Sequence, residues 1–421
     1  MTARRFDVLL LGATGITGSE TLDYLVPRAL ELGLTVAVGA RNVAKVRRQC
    51  AGRGVEAPPL VEVDVTDTAQ VAAFAAAGSV LINLVGPYAR SGESVVRACV
   101  AAGTSYLDLS AETQFIRRVD AAHLSAVDAG VAVVQTAGFE ALPADLAVEL
   151  ARNALRRRGA RLVSADVEVS VRSTAPAGLR DLLSGGTIQS ILGVLDDPDD
   201  PALRNVAFRV PDESDALRIR KASPNRVRPR LHAGQIIAPM VPVAFLNPPV
   251  IHRSSWLLAQ EANEEFVPLR YRDGLRFGRF TGVGGVPRLL AAGVLAGVQS
   301  LGIAASLLPF PFRRVLARAG RRVLPSSGSG PRGPQFHHWR WELDLLGRSD
   351  DHQQVHVRIE AEGHPGYVTT ARMIAELALM IVDGSGSGRS GCITPALAAG
   401  ADHTGRFARA GMRFSLSADQ S

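Results

Sequence analysis

The sequence predicts an α/β protein: an N-terminal Rossmann domain with a doubly wound parallel sheet, then a second α+β domain with a mostly antiparallel sheet. Three observations predict it. Residues 7–18 read Asp-Val-Leu-Leu-Leu-Gly-Ala-Thr-Gly-Ile-Thr-Gly, an apolar run broken by glycines at spacing three. Further short apolar runs alternate with helical patterns as far as residue 136, as in a strand–helix repeat. Beyond residue 160, long segments alternate apolar with polar residues, and the later ones follow one another directly, as antiparallel strands do.

The glycine loop comes first. Gly12 permits a tight turn, Gly15 lets the backbone approach a pyrophosphate, and Gly18 lets the helix lie close on the strand. Thr14 and Ile16 complete the loop. The helix N-terminus offers N–H groups and a positive dipole end to phosphates. A bare turn without ligand is the competing reading; the strand before and the helical pattern after favour a dinucleotide. Later strands are expected over Leu34–Gly39, Leu60–Val65, Val80–Val85, Tyr106–Leu109 and Val131–Thr136, with helices over 69–77 and 94–102 between them. An NAD site places Asp or Glu at the end of the second strand. Here stand Arg41 and Asn42, with Lys45 one turn on. Arg41 can pair with a ribose 2′-phosphate, so the cofactor read from the sequence is NADP(H). Asp64 could accept from the adenine amino group or cap the next helix with Thr66 and Asp67.

At 421 residues the chain should form two domains, and 47% hydrophobic residues exclude disorder. The net charge of +7 is carried mostly by arginine, with aromatics at 5% and no nucleic-acid motif, so nucleic acid is not an expected partner. Cys50, Cys99 and Cys392 lack metal-ligand spacing, which predicts a reducing compartment with no metal site. A strand begins almost at the N-terminus, leaving no room for a signal peptide; the expected localisation is cytoplasmic.

Four further segments carry a resemblance: 83–92 (Asn-Leu-Val-Gly-Pro-Tyr-Ala-Arg-Ser-Gly), 102–112 (Ala-Gly-Thr-Ser-Tyr-Leu-Asp-Leu-Ser-Ala-Glu), 138–146 (Gly-Phe-Glu-Ala-Leu-Pro-Ala-Asp-Leu) and 184–190 (Ser-Gly-Gly-Thr-Ile-Gln-Ser). In this order after the glycine loop, they resemble the saccharopine-dehydrogenase-like oxidoreductases, in particular the mycobacterial trans-acting enoyl reductases. Gly363-His364-Pro365-Gly366-Tyr367 is similar too, as are 373–377 and 394–396. The sequence departs from that branch at Ala111, where Gly is usual, and at Glu140-Ala141, where Asp-Ser is usual. The resemblance implies an NADPH-dependent reductase of a C=C bond in an acyl or polyketide-like chain, with a proton delivered by Tyr88, Thr187 or water. It also implies a small-molecule or carrier-bound acyl substrate, with an acyl carrier protein or synthase as partner and room for a homodimer. Two other readings stay open: amino-acid C–N oxidoreduction of the saccharopine reductase kind, and a non-catalytic NADP-binding regulator or membrane-attached scaffold.

In an open α/β sheet, ligands bind beyond the carboxyl ends of the strands. Val85, Gly86, Pro87 and Tyr88 end the fourth strand, where a nicotinamide would pass. Tyr88 either acts there or packs beneath the loop. Asp108 and Glu112 either position substrate or cap helices. The domains are expected at 1–143 (dinucleotide-binding), 144–365 (substrate platform) and 366–421, the last bringing a helix back to the first domain. In the platform, 184–187 should start a helix facing the cleft, 218–230 should be an exposed arginine-rich loop, 196–200 a solvated turn, and 326–334 and 384–391 linkers. Leu289 to Phe312 contains no charged residue and is flanked by arginines. It is expected to be a buried helix or hairpin, the wall of a lipid-binding tunnel or a peripheral membrane contact, with a true span the least favoured reading because the strands after it must rejoin a soluble domain.

Overall fold

The computed structural model describes residues 4–174, 205–224, 227–240, 246–323, 334–400 and 403–418. The first part alternates strand and helix: β1 (Phe6–Leu11), α1 (Ile16–Glu31), β2 (Val36–Ala40), α2 (Val43–Gly52), β3 (Leu60–Glu62), α3 (Thr68–Ala75), β4 (Gly78–Asn83), α4 (Tyr88–Ala102), β5 (Ser105–Asp108), α5 (Thr113–Asp120), α6 (His123–Asp128) and β6 (Ala132–Val134). The second part holds α7 (Leu142–Arg156), β7 (Leu162–Ser173), α8 (Glu213–Ala222), β8 (Arg230–His232), β9 (Gln235–Ala238), α9 (Asn247–Ala262), β10 (Arg270–Arg272), β11 (Leu275–Arg279), α10 (Val286–Ser306), α11 (Phe310–Val323), β12 (Trp339–Ser349) and β13 (Gln354–Glu362). The chain ends with α12 (Thr370–Val382), β14 (Gly391–Ile393), α13 (Pro395–Ala399), α14 (Thr404–Arg409) and β15 (Met412–Ala418).

The first sheet has seven parallel strands in the order β14-β6-β5-β4-β1-β2-β3. Winding reverses between β1 and β4, which opens a crevice at the carboxyl ends of those strands. The strands are apolar throughout because helices cover both faces; Val8, Leu9, Leu10 and Leu81 are all fully buried.

The second sheet runs β15-β13-β12-β7-β11-β9-β8, with β10 also beside β7. It is mixed: β10 and β11 lie parallel to β7, and the remaining pairs are antiparallel. Its two faces follow the alternation of β7. Ala165, Val167 and Val169 join the core beneath α7, whereas Asp166 and Glu168 pair with Arg230, Arg348 and Arg276.

The C-terminal part serves both sheets. Helix α12 is buried against α1 and β4. Strand β14 extends the first sheet and β15 the second.

The arginine-rich stretch expected as a loop over 218–230 is helical as far as Ala222. Asp212 Oδ1 accepts from Asp215 N at 2.8 Å, acids occupy the first turn, and Arg220 and Lys221 occupy the last. Both charge placements complement the helix dipole. The turn at 196–200, the helix start at 184–187 including Thr187, and 326–333 of the first linker lie outside the described residues. The three cysteines are buried and free of disulfides.

Candidate functional site

The site is built where β1, β4, β5 and β6 end. Gly12 has φ +89°, and a Cβ there would lie 2.7 Å from the Leu84 backbone. A Cβ on Gly18 would lie 2.0 Å from the Gly12 carbonyl oxygen. Both glycines are therefore required by the protein itself. Gly15 differs: it is exposed, and its Cβ would meet only the Gly12 oxygen, at an ordinary 3.5 Å. No side chain caps the N-terminus of α1, which starts at Ile16. Space above Gly15 and an uncapped helix end fit a pyrophosphate, and Thr14 and Ile16 flank that space half-buried.

Arg41 stands exposed just beyond β2, with Lys45 exposed beside it. Asn42 caps α2, its Oδ1 accepting from Lys45 N at 2.9 Å. Asp64 Oδ1 accepts from both the amide and the hydroxyl of Thr66, which holds its carboxyl below the usual range, and nearby Arg41 lowers it further. Capping of α3 falls to Asp67, whose Oδ1 accepts from Ala69 and Gln70 amides.

After β4, Val85 and Pro87 are half-buried and Gly86 is exposed; the Gly86–Pro87 bond is cis. Tyr88 is buried and stacks on Phe115 at 5.6 Å. Its hydroxyl donates to Asn83 O at 3.2 Å and accepts from Leu109 N at 3.4 Å, tying the ends of β4 and β5 together. Burial, then the neighbouring Asp108, push its phenol well above the ordinary value. Glu112 caps α4 across the sheet, accepting from Tyr88 N at 2.9 Å and Ala89 N at 2.7 Å.

Four residues past β5 and β6 concentrate the unusual chemistry. Asp108 is fully buried, and burial lifts its carboxyl to about 6 despite donors from Ser110 and Tyr106. Thr136 adopts φ +58°, a left-handed conformation costly for a β-branched residue. Beside it, the Gln135 amide is fully buried with neither its oxygen nor its nitrogen hydrogen-bonded within the protein. Glu140 accepts from Gly138 N at 3.1 Å, and burial lifts its carboxyl to about 8. Strain, an orphaned amide and two raised carboxyls at the end of one sheet mark a functional cleft. Sequence reading had flagged Asp108 and Glu140 in the quoted segments. Gln135 and Thr136 carried no signal, because strain and missing partners exist only in three dimensions.

The second domain packs aromatics near the ends of these strands. Phe139 meets Trp341 edge-on at 5.0 Å, and Phe139 N donates to Thr370 Oγ1 at 2.9 Å. Phe336, Tyr367 and Val368 form a cluster against Ile16 of the glycine loop, and His364 stacks on Tyr367 at 4.4 Å. Among the described residues, no cluster of His, Cys, Asp or Glu could hold a metal ion.

Fold and loop thus define a dinucleotide-binding oxidoreductase, and comparison with known proteins specifies the class. Residues 8–134 match the saccharopine dehydrogenase NADP binding domain. A Mycobacterium tuberculosis protein bearing the provisional name trans-acting enoyl reductase is 30% identical over 418 residues, 95% of this chain and 94% of its own length. A trans-acting enoyl reductase of Mycobacterium ulcerans is 28% identical over 421 residues, 94% of each chain. Apo saccharopine dehydrogenase (L-Glu forming) of Saccharomyces cerevisiae covers 98% of this chain and 100% of its own, at 15% identity and TM-score 0.49. The chain belongs to the trans-acting enoyl reductase family of saccharopine-dehydrogenase-like oxidoreductases.

Proposed function

We propose that this protein is an NADPH-dependent enoyl reductase acting in trans on an acyl or polyketide-like chain carried by a separate synthase or carrier protein. Whole-length kinship to proteins so named supports the reaction class. The observation that carries the mechanism is the place of Glu140 at the strand ends, where it accepts from Gly138 N and burial lifts its carboxyl to about 8.

The loop residues Gly12, Thr14, Gly15, Ile16 and Gly18 hold the pyrophosphate. Arg41, Asn42 and Lys45 receive the 2′-phosphate, Asp64 the adenine amino group, and Val85, Gly86 and Pro87 flank the nicotinamide. Bound NADPH supplies a hydride for the β-carbon of the double bond. The protein supplies orientation and the α-carbon proton. Glu140 is assigned as that donor, since an acid with a value near the working pH both holds and releases a proton. Tyr88, with its hydroxyl spent on two backbone groups, holds the β4 loop in place. Thr187, the other side-chain donor that the resemblance implies, lies outside the described residues.

The test is turnover of 2-enoyl thioesters, on coenzyme A and on carrier protein, with NADPH or NADH, the saturated product being identified by mass spectrometry. Reduction with NADPH is expected. Tight NADPH binding without reduction of any thioester, or equal use of NADH, would overturn the reading.

A further inference from the structure

Helices α10 and α11 carry a run of exposed large apolar side chains. Of α10, Ala292 and Ala296 alone are buried, and Ala292 sits against Ile236 and Ala238 of β9. The opposite side carries Leu290, Val294, Val298 and Leu301, each 62–71% exposed. Their spacing of four, four and three places them on one stripe. Soluble proteins rarely expose so continuous an apolar stripe without a partner. Helix α11 is amphipathic in an inverted sense. Phe312, Val315 and Leu316 are exposed on one face, Arg314, Arg318 and Arg321 lie off that face, and Arg322, seven residues after Val315, borders it.

Charge identifies the partner. Between Asp273 and Glu342 the chain has no acidic residue and ten arginines. Topology rules out a simple crossing. The chain leaves the second sheet at β11 and rejoins it at β12, and α11, with 14 residues and five arginines, is too short and too charged to carry it back across a bilayer, so both helices stay on one side. A helix with exposed Phe, Val and Leu bordered by arginines, beside a helix whose single charge is Arg288 in its first turn, is suited to lie in the plane of an interface.

We propose that α10 and α11 form a monotopic membrane-docking surface for bilayers rich in anionic headgroups. The stripe Leu290–Val294–Val298–Leu301 and the face Phe312–Val315–Leu316 enter the acyl boundary. Arg314, Arg318, Arg321 and Arg322 contact headgroup phosphates. An acidic carrier protein would satisfy the arginines but leave the stripe in water, because the stripe offers no hydrogen-bonding group.

The test is flotation of the full-length protein with phosphatidylcholine vesicles containing or lacking about one third phosphatidylglycerol, a ratio set so that headgroup charge is the only variable. The parent is expected to float with the anionic vesicles and to be released by high salt. The pair Arg318→Gln and Arg322→Gln should weaken vesicle binding about thirtyfold, at roughly fivefold per surface arginine. The set Leu290→Ser, Val294→Ser and Leu301→Ser should abolish it. These side chains are exposed, so NADPH binding and thermal unfolding should match the parent, which separates this proposal from the enzymatic reading. A parent that ignores both vesicles, or Ser variants that float as the parent does, would overturn it. So would a parent dimer in solution that the Ser set converts to monomer, or retention on an acidic carrier protein without vesicle binding.

Discussion

At the residue scale, two glycines three positions apart do different jobs, and mutation should separate them. A side chain on Gly18 meets the Gly12 carbonyl at 2.0 Å, so Gly18→Ala should destabilise the fold itself. A side chain on Gly15 meets nothing closer than 3.5 Å, so Gly15→Val should leave thermal unfolding unchanged and abolish NADPH binding by calorimetry. Arg41 stands where a 2′-phosphate would sit. Arg41→Ala should weaken NADPH by roughly ten- to a hundredfold, the scale of a hydrogen bond to a charged group, and leave NADH unchanged; equal losses would remove the residue from the site. Glu140→Gln keeps the shape and removes the proton. It should lower kcat far more than it changes KM, and erase the limb of the pH–rate profile near 8. Unaltered turnover would return the donor role to another group or to water.

At the element scale, α12 is held by a buried charge. Glu376 is fully buried and accepts from Tyr24 at 2.7 Å and Arg28 Nε at 2.9 Å, both on α1, and from Arg406 Nε of α14 at 3.0 Å. It thereby fastens the helix after the second domain to the helix after the glycine loop. Glu376→Ala should cost about 3 kcal/mol in chemical denaturation, because Arg28, though still beside Glu31, would stay buried without its one buried counter-charge. A loss below about 1 kcal/mol would mean that solvent reaches the pair.

At the scale of the whole molecule, buried acids and histidines set how stability varies with pH. Asp108, Asp145 and Asp273 are raised to about 6 and Glu140 to about 8, all chiefly by burial. A carboxyl raised in the folded state stabilises most below its unfolded value, near 4, and that contribution is lost as pH rises through the folded value. His252, lowered by burial to about 3, works in the opposite sense. Its contribution is full above about 6.5 and is lost as pH falls. Between about 6.5 and 8 the aspartates are largely ionised and His252 is neutral in both states, leaving Glu140. Unfolding free energy should therefore decline across that window in the parent and stay level in Glu140→Gln. Parallel curves would show that Glu140 titrates normally.

The first domain was legible in the sequence because its determinants are local. A strand buried on both faces is a continuous apolar run, and a glycine loop spells out its turn. Pairing of Asp212 with α8 was equally local, yet the density of arginine obscured it. The candidate site was legible only in part. Gly12, Gly15, Gly18 and Arg41 are read from spacing, because the cofactor touches backbone at fixed offsets. Three matters were settled by tertiary structure. Tyr88 bonds the backbone of two strands, partial burial raises the Glu140 carboxyl, and α10 turns its apolar stripe outward. Each depends on what packs against a side chain from distant parts of the chain, such as Thr370 against Phe139, and periodicity along the sequence carries no record of that. Sequence set the period and polarity of every element; burial, and with it proton affinity and exposed surface, came from which elements met.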